Sequence, residues 1–510
     1  MKECSPSIDT DMHSVYHKVT LRALYAAWRQ ARRKKKPSFN QLAFELDWLA
    51  RLLSLQQQLT YHRWQAKATV CFVATHPKTR EIHAPDFSDR VVHHYVVPQL
   101  EALFEPVFIF DSYANRKHKG SHQAVKRLQQ WMRRQPQACY LQLDIHNFFN
   151  SIHRPTLYQL LKQRLDKSLS KGRLPLEQHH HLKVLCHTLC SQQPASTAYY
   201  RGGEAMHALV PAHKSLKNAK KHCGLAVGNL SSQFFANVYL NELDQFVKHG
   251  LKCKAYVRYV DDFILIHESP EQLLKWRKQI VQFLAQHLQL RLKMNANLGL
   301  PDPQPLKNGI DFLGYISYPT HRVVRRRVIR HCYDKLSQAE HQLLSASATE
   351  NISQHLRLNA ENKVLIQGLV ASYWGHFSHA SHWRLTQRVL KRFPWLEQCF
   401  AFQPGALPKL RFACGTQNFM QDQIAYFRQM YPDALLQVQK GYRWLPYWPK
   451  GGVAQRIVTI QECGYLKHGL KRREVVAIQC LFNPLINHNY PVYTQRSPYE
   501  NLSQNLSLSA

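Results

Sequence analysis

Large apolar residues recur at helical spacing in the first part of the chain. Two stripes fall within residues 14–60, made of Leu21, Leu24, Tyr25 and Trp28 and then of Leu42, Leu46, Leu49, Leu52 and Leu53. Steps of three and four residues are typical of amphipathic helices. Between 61 and 111 the apolar runs shorten, and Val70–Ala74, followed by His76-Pro77-Lys78, predicts a strand and a turn. We therefore expect short strands across this second region.

Helical and strand patterns alternate through the rest of the chain. The expected elements, in order, are a basic helix over 122–135, a strand from Tyr140 to Ile145, a His- and Lys-rich region over 154–222 with a loop insertion near 201–203, a helix after Gly228, and two strands over 255–266. Three prolines between 301 and 308 predict a linker, helices resume across 331–398, and a smaller mixed unit follows Pro404. The Ser- and Asn-rich end from 497 predicts disorder.

The charge balance is strongly basic. Lys and Arg number 68 against 33 Asp and Glu, which gives the 510-residue chain a formal charge of +35. A polyanionic partner would offset the self-repulsion, and nucleic acid is favoured because each neutralised phosphate releases condensed counterions. The alternative is a charged, solubilising surface.

The sequence does not favour a membrane-spanning segment or location in an oxidising compartment. No apolar run approaches the roughly 20 residues that span a bilayer, and residues 1–13 lack the basic and apolar stretches of a secretion signal. The 12 cysteines are scattered without a Cys-x-x-Cys pair, which favours reduced thiols. We expect a cytoplasmic protein.

Two segments combine apolar strands with acids. Residues 255–266 predict two strands that meet at Asp261 and Asp262, and Asp144 closes the run Leu141-Gln142-Leu143. Burying carboxylates between such strands costs several kcal/mol unless a cation is present. Three carboxylates on adjacent strand ends can hold two Mg²⁺ ions about 3.5–4 Å apart, as nucleotidyl transfer requires. A plain Asp-Asp hairpin turn and a helix-capping Asp144 are the alternatives.

These segments resemble motifs of reverse transcriptases. Tyr259-Val260-Asp261-Asp262 is similar to the family's Tyr-x-Asp-Asp box, residues 144–149 to the motif with the first metal-binding Asp, residues 228–233 to the motif that contacts template and nucleotide, and residues 309–315 to the primer-grip turn. Order and spacing agree over roughly residues 60–400.

Longer stretches indicate a subgroup. Residues 111–120, 211–216 and 224–233 resemble bacterial reverse transcriptases of diversity-generating retroelements and the related unknown group, many of which serve in phage defence. Retroviral enzymes have Gln and Pro where this chain has Val227 and Gln233. In the diversity-generating group that variant accompanies error-prone copying, so the resemblance implies low fidelity.

The resemblance implies an α+β protein with the right-hand polymerase fold, which has fingers, a palm with an antiparallel sheet, and a helical thumb, plus a small C-terminal α/β accessory domain. The expected boundaries are 1–60 for an N-terminal helical extension, 61–320 for fingers and palm, 321–402 for the thumb, 403–490 for the accessory domain and 491–510 for a disordered tail. Residues 431–436 and 469–479 loosely resemble the mismatch-sensing first domain of the repair protein MutS. A plain accessory domain that binds RNA or another subunit is the alternative.

The same resemblance implies roles for individual residues. The catalytic residues would be Asp144, Asp261 and Asp262, and two Mg²⁺ ions, with Mn²⁺ as an alternative, would be held by Asp144, Ile145, Asp261 and Asp262. Nucleotide-binding residues would be Lys78, Arg80, Arg90, Phe149, Gly228, Gln233 and Lys293. Primer and template would meet Tyr259, Phe312, Leu313, Gly314 and Tyr315. Each of the cations is also compatible with an ordinary surface position.

The choice of sugar is expected to depend on Phe149. In the family fold its ring would lie under the ribose and leave no room for a 2′-hydroxyl, which favours deoxynucleotides. The alternative is that Phe149 is a core residue. Lys293 is a candidate for protonating the leaving pyrophosphate.

The expected function is RNA-directed DNA synthesis in the cytoplasm, in anti-phage defence or in a diversity-generating retroelement. The expected partners are a template RNA, for which a dedicated noncoding RNA is the first candidate, a DNA primer or product, deoxynucleotides, and a second copy of the chain or an accessory protein; no membrane is expected. A non-catalytic RNA-binding scaffold and an RNA-dependent RNA polymerase are the alternatives.

Overall fold

The computed structural model describes residues 17–33, 37–75, 78–294, 299–345, 360–410, 428, 432–440, 443–448, 456–467 and 470–482. The chain forms two compact units, Met1–Arg325 and Arg326–Ala510. Among the described residues, no helix is long and apolar enough to cross a bilayer.

Three helices begin the first unit: α1 (Leu21–Ala31), α2 (Phe39–Leu46) and α3 (Trp48–Thr60). The first two start where the sequence supplies a cap, because the Thr20 and Ser38 hydroxyls accept hydrogen bonds from the third amide of the turn that follows. Buried Leu24 and Trp28 of α1 join the main core. The helical periodicity of this region is confirmed.

A small sheet follows, of β1 (Val70–Ala74), β2 (Arg80–Ala84) and, from the later insertion, β4 (Tyr199–Tyr200), in the order β2-β1-β4. The expectation of short strands up to residue 111 is wrong beyond β2, because α4 occupies Phe87–Phe104. Asp86 caps this helix by accepting from the Ser88 amide at 3.0 Å. Its apolar residues, Val91, Val92, Tyr95 and Val96, are buried at helical spacing, which the β-branched composition had masked.

The central sheet contains β3 (Cys139–Asp144), β5 (Ala255–Tyr259), β6 (Asp262–His267) and β7 (Gln304–Pro305), in the order β5-β6-β3-β7. All its pairings are antiparallel. Leu141 and Leu143 of β3 join Phe263 and Leu265 of β6 in the core. The helices of this unit that come after α4 are α5 (Ser121–Arg134), α6 (Phe148–Ser151), α7 (Arg154–Ser170), α8 (Leu176–Ser191), α9 (Gly203–Ala208), α10 (Leu230–Gln245) and α11 (Pro270–His287).

A second small sheet closes this unit, with β8 (Ile310–Phe312), β9 (Tyr315–Ser317) and β10 (Arg322–Val324) in the order β10-β9-β8. Both of its pairings are antiparallel. The chain therefore reaches the end of the unit through a tight meander.

The second unit begins with helices α12 (Arg326–Ser345), α13 (Ala360–Phe377), α14 (Trp383–Arg392) and α15 (Trp395–Cys399). Trp374 is 1% exposed and its indole N–H donates to Thr386 at 3.1 Å, so it is a core residue. Short β11 (Phe400–Ala401) pairs with β12 (Lys409–Leu410). A four-stranded sheet follows, of β13 (Ala434–Lys440), β14 (Arg443–Tyr447), β15 (Arg456–Lys467) and β16 (Leu470–Phe482), in the order β14-β13-β15-β16.

Each of the two segments with MutS resemblance lies partly outside the described residues. The tail predicted over 491–510 lies outside them entirely.

Candidate active site

The turn between β5 and β6 carries two adjacent acids. Tyr259 pairs with Asp262 across the hairpin, so Val260 and Asp261 form its two-residue loop. Val260 has a φ of 56°, a left-handed conformation that a β-branched residue adopts only under strain. The Arg258 guanidinium donates to the Val260 carbonyl at 2.9 Å and holds this loop in place.

Asp144 meets these acids from the neighbouring strand. It lies opposite Asp262 in the β3–β6 register. The Ile145 amide donates to the Asp261 carbonyl at 3.3 Å, and the Asp144 carboxylate is near enough to Asp261 for its charge to affect that residue's pKa. Asp144, Asp261 and Asp262, called the acid trio below, therefore converge on one end of the central sheet.

Crowding of the acid trio changes its protonation. Burial and, after it, the charge of Asp144 raise the pKa of Asp261 to about 6. Burial likewise raises the pKa of Asp262 to about 7; the hydrogen bond from Gln142 opposes this shift, and the charges of Asp144, Asp261 and Asp311 add to it. Like charges in a desolvated cluster favour protonation until a cation compensates them. Three carboxylates are also the oxygen donors that Mg²⁺ or Mn²⁺ prefers, so the residues fit such ions.

Two cations lie beside the trio. The Lys293 ammonium is 3.2 Å from an Asp144 carboxylate oxygen, and the Lys293 amide donates to the Asp144 carbonyl at 2.8 Å. Arg80, on β2, lowers the pKa of Asp261 by its charge. Both side chains are exposed and can reach an anionic ligand.

The other two predicted phosphate-binding cations lie on either side of β2. Lys78 is exposed in the turn before this strand, and Arg90 is half-buried in the first turn of α4. Burial lowers the pKa of Arg90.

Gln142 was missed by the sequence reasoning. Its amide N–H₂ donates to both Asp262 carboxylate oxygens, at 3.0 and 3.2 Å, and to the Asp311 carbonyl at 3.2 Å. The signal was present, because Gln142 is a polar residue two positions before Asp144 and so on the same strand face. Gln142 links the acid trio to β8.

A buried ion pair behind the hairpin was also missed. Arg258 and Asp244 are both 0% exposed and form two charge-assisted bonds, at 2.6 and 2.7 Å. Arg258 also contacts the Ser112 hydroxyl at 3.1 Å, and the Tyr256 hydroxyl donates to Asp244 at 2.8 Å. The pair fixes the position of the strand that ends at the acid trio. An Arg immediately before the Tyr-x-Asp-Asp box was its only sequence signal.

Phe149 lies half-buried beside Phe148, which is 2% exposed. The ring centroids are 5.5 Å apart in an edge-on arrangement. Phe148 is therefore the core residue of the two. The Leu225 amide donates to the Phe149 carbonyl at 2.9 Å and ties Phe149 to the segment before Gly228.

Gly228 allows a close backbone approach. Its φ is +124°, and a Cβ there would lie 3.1 Å from the His83 carbonyl oxygen and from Ile82. The neighbouring Val227 carbonyl accepts from the His83 amide at 2.9 Å, so this segment is joined to β2. Gln233 is exposed in the first turns of α10.

The predicted primer-grip residues form the tip of a hairpin. Phe312 pairs with Tyr315, and the two loop residues, Leu313 and Gly314, have φ values of 52° and 91°, as in a type I′ turn. The Phe312 and Tyr315 side chains are 0% exposed, so contact of these two residues with primer or template would have to be made through their backbone. Tyr259 is half-buried at the end of β5.

Comparison with known proteins identifies this region. Residues 65–316 match the family model described as reverse transcriptase (RNA-dependent DNA polymerase). The group II intron-encoded protein LtrA of Lactococcus lactis subsp. cremoris is 24% identical over 277 residues, which cover 47% of this chain and 44% of that protein. Protein YkfC of Escherichia coli K12 is 21% identical over 293 residues, which cover 49% of this chain and 64% of that protein. The chain thus spans about half the length of these relatives.

Solved telomerase structures show a fainter likeness. The Candida albicans enzyme in complex with a fragment of telomeric RNA has 11% identity and a TM-score of 0.35, covering 67% of this chain and 58% of that chain. Apo telomerase from Candida tropicalis has 10% identity and a TM-score of 0.37, covering 54% of this chain and 60% of that chain. Scores of this size do not establish a shared fold, and the family match stands without them. Residues 65–316 of this chain are therefore similar to a reverse transcriptase domain.

Proposed function

We propose that the chain is an RNA-directed DNA polymerase that extends a 3′ end by two-metal nucleotidyl transfer. The observation that carries the proposal is the convergence of Asp144, Asp261 and Asp262 at one end of the central sheet. The fit of carboxylates to Mg²⁺ and the reverse transcriptase match over 65–316 support it. A scaffold without catalysis would keep three crowded, partly buried acids for no use, which is unfavourable.

In this proposal the acid trio, with the Ile145 backbone beside it, holds two Mg²⁺ ions, for which Mn²⁺ can substitute. The bound ions supply activation of the primer 3′-hydroxyl and stabilisation of charge on the pyrophosphate. Gln142 orients Asp262 through both carboxylate oxygens. Arg258 holds the strained loop that presents Asp261.

The nucleotide is proposed to bind between β2 and the trio. Arg80 and Lys293 flank the acids and are placed to neutralise the triphosphate, with Lys78 and Arg90 further along the same region. Lys293 is our candidate for protonating pyrophosphate. Phe149 and Gly228 would line the sugar and base side with Gln233, and the Leu313-Gly314 tip and Tyr259 would contact the primer and template.

Primer extension on an RNA template tests the activity. The purified chain is given a DNA primer on RNA, Mg²⁺, and either deoxynucleotides or ribonucleotides. We expect extension with deoxynucleotides that stops on chelation of the metal. Extension with ribonucleotides alone would make the chain an RNA-dependent RNA polymerase, and no extension with either set would favour the non-catalytic scaffold.

For the biological role we propose anti-phage defence in the cytoplasm with a dedicated noncoding RNA as template. The support is the resemblance of residues 111–120 and 224–233 to unknown-group enzymes and the additional sheet of β13 to β16. That sheet is proposed to bind RNA, an accessory protein or a second copy of the chain. A diversity-generating retroelement is the second candidate, favoured by Val227 and Gln233.

The two roles predict different co-purified nucleic acids and different effects on phage infection. Sequencing of co-purified nucleic acid should yield one recurrent noncoding RNA, and expression should lower phage plating efficiency unless Asp261 and Asp262 are both changed to Asn. Copies of a variable-protein repeat with scattered substitutions would instead favour the retroelement. Unchanged plating would contradict the defence role.

A further inference from the structure

A second group of metal-ligand side chains lies in the sheet of β1, β2 and β4, apart from the acid trio. Cys71 pairs with His83 across β1 and β2, and Glu81 is two residues from His83, so all three side chains share one sheet face. Cys71, Glu81 and His83 are each less than 9% exposed. One sulfur, one oxygen and one nitrogen from them lie within 4.8 Å of one another.

The hydrogen bonds around His83 fix its tautomer. The Thr69 hydroxyl donates its one proton to the Pro194 carbonyl at 3.2 Å, so towards His83 Nδ1, 3.3 Å away, it can only accept. Nδ1 therefore carries a proton, and Nε2 of the neutral imidazole presents a lone pair. This is the state in which an imidazole binds a metal, with its other nitrogen bonded to a neighbouring group.

The Nε2 lone pair faces another acceptor. It lies 3.8 Å from a Glu81 carboxylate oxygen and, among the described residues, has no hydrogen-bond partner. A buried lone pair pointed at a carboxylate is unfavourable unless a cation lies between them. Ligands on a tetrahedral zinc ion are separated by roughly 3.4–3.8 Å, given metal–ligand distances of about 2.0–2.3 Å. The His83–Glu81 spacing of 3.8 Å lies at the wide end of this range, and binding of an ion would draw the nitrogen and oxygen together to about 3.4 Å.

Glu81 is also pre-oriented. One carboxylate oxygen accepts from the Ser215 hydroxyl at 2.7 Å, and the other accepts from the Leu216 amide at 2.8 Å. Each oxygen keeps a further lone pair, and both donors come from the insertion after α8. Ligating carboxylates are held in this way by outer partners at metal sites.

We propose that Cys71, Glu81 and His83 form a binding site for Zn²⁺ or a similar borderline-soft divalent ion. A thiolate, an imidazole and a carboxylate form a donor set that suits zinc, whereas Mg²⁺ prefers oxygen alone. The ion would join β1 and β2 to the segment over 215–216, and through the His83 amide to Val227. The site would thus brace the sheet that carries Arg80.

Metal content and a cobalt spectrum of the full-length protein test the proposal. After a wash with a weak chelator, elemental analysis should find one zinc per chain in the wild type, in Cys186→Ser and in Asp261→Asn with Asp262→Asn. Cys71→Ser and His83→Gln should lose it. Cys186 is the matched control because its thiol is buried outside the cluster.

The cobalt spectrum of the wild type tests the proposal even if a variant fails to fold. Co²⁺ bound to the wild type should give a near-ultraviolet thiolate-to-cobalt charge-transfer band, which Cys186→Ser keeps and Cys71→Ser lacks. If the wild type contains no zinc and binds Co²⁺ without this band, a proton rather than a metal lies between His83 and Glu81, and the proposal is overturned. The reverse transcriptase proposal would be unaffected by that result.

Discussion

Individual side chains around the acid trio are fixed by buried polar contacts. Gln142 contacts both oxygens of Asp262, and Arg258 reaches the loop carbonyl just before Asp261. Both contacts lie away from the exposed surface, where substitutions usually have little effect on stability. Asp262 and the loop that carries Asp261 are therefore each held by a side chain outside the acid trio.

Asp244→Ala should destabilise the protein strongly. It leaves the fully buried Arg258 guanidinium without its carboxylate, and breaking a buried pair costs about 3–5 kcal/mol. Denaturant unfolding monitored by fluorescence measures the loss. Asp302→Ala is the control, because its pair with Arg277 is 67% exposed on the acid side and should be worth about 1 kcal/mol or less. Equal losses for the two variants would contradict the role of the buried pair.

Phe149→Ala should relax discrimination between the two sugars. Removing the ring opens space for a 2′-hydroxyl, so ribonucleotide incorporation should rise relative to deoxynucleotide incorporation in single-nucleotide extension assays. Phe149→Tyr keeps the ring and should retain the wild-type preference. An unchanged ratio in the alanine variant would mean that Phe149 only packs beside Phe148.

The acids of the trio are easier to recognise in the sequence than the side chains that contact them. Asp144, Asp261 and Asp262 stand out because a charged residue closes or separates apolar runs. The contacts of Gln142 with Asp262 and of Arg258 with Asp244 join residues that are 120 and 14 positions apart and that meet only in the folded chain. The burial of Phe312 and Tyr315 was hidden for the same reason.

Helices and strands were predictable where periodicity and caps agree. The strand Val70–Ala74 and the hairpin around Asp261 follow directly from alternation and are confirmed. Helix α4 was missed because its Val-rich stretch has strand-like composition, and the Asp86 cap with buried positions at helical spacing decides against a strand. Tertiary packing overrides composition here.

The junction of β2 with Gly228 gives a prediction at the scale of elements. Gly228→Ala places a Cβ 3.1 Å from the His83 carbonyl, so the segment must move away from β2 and the KM for deoxynucleotides should rise. Gly172→Ala is the matched control, since its φ of +64° is also strained but nothing lies within 4 Å of the added atom. Similar kinetics for the two variants would show that close approach at Gly228 has no role.

Helices α4 and α8 meet at a histidine that resists protonation. His181 is 0% exposed and its ring nitrogen lies 3.3 Å from the Tyr95 hydroxyl. Burial, followed by the nearby His17, His62 and His180, lowers the pKa of His181 from 6.5 to about 3. Between these values the unfolded chain binds the proton and the folded chain does not. Acidification below about 6.5 should therefore reduce stability, by about 1.4 kcal/mol per pH unit.

The free energy of unfolding of the wild type and of His181→Phe, measured from pH 7 to pH 5, tests this. The free energy of unfolding of the wild type, minus that of His181→Phe, should decrease as the pH falls, because only the wild type carries this histidine. The comparison is needed because the raised pKa values of Asp89, Asp261 and Asp262 act in the opposite sense in both proteins. A constant difference across this range would contradict the linkage.

For the whole molecule, charge and architecture were predictable to different extents. The net charge of +35 is a property of composition, and it favours a nucleic-acid partner whatever the fold. The order β5-β6-β3-β7 is not readable from local pattern, because β3 and β6 are separated by more than 100 residues. The resemblance of short motifs implied an antiparallel palm sheet and adjacent strand ends for the three acids, but not this strand order. Only the loose resemblance to MutS reaches the sheet of β13 to β16, and the role of this sheet stays a proposal.

The central claim is that the acid trio performs DNA synthesis on an RNA template. The most direct measurement compares primer extension by the wild type and by Asp261→Asn with Asp262→Asn, alongside RNA binding by each. We predict that the double variant loses extension by several orders of magnitude while it binds RNA as tightly as the wild type. Undiminished extension by the folded, RNA-binding double variant would contradict the claim.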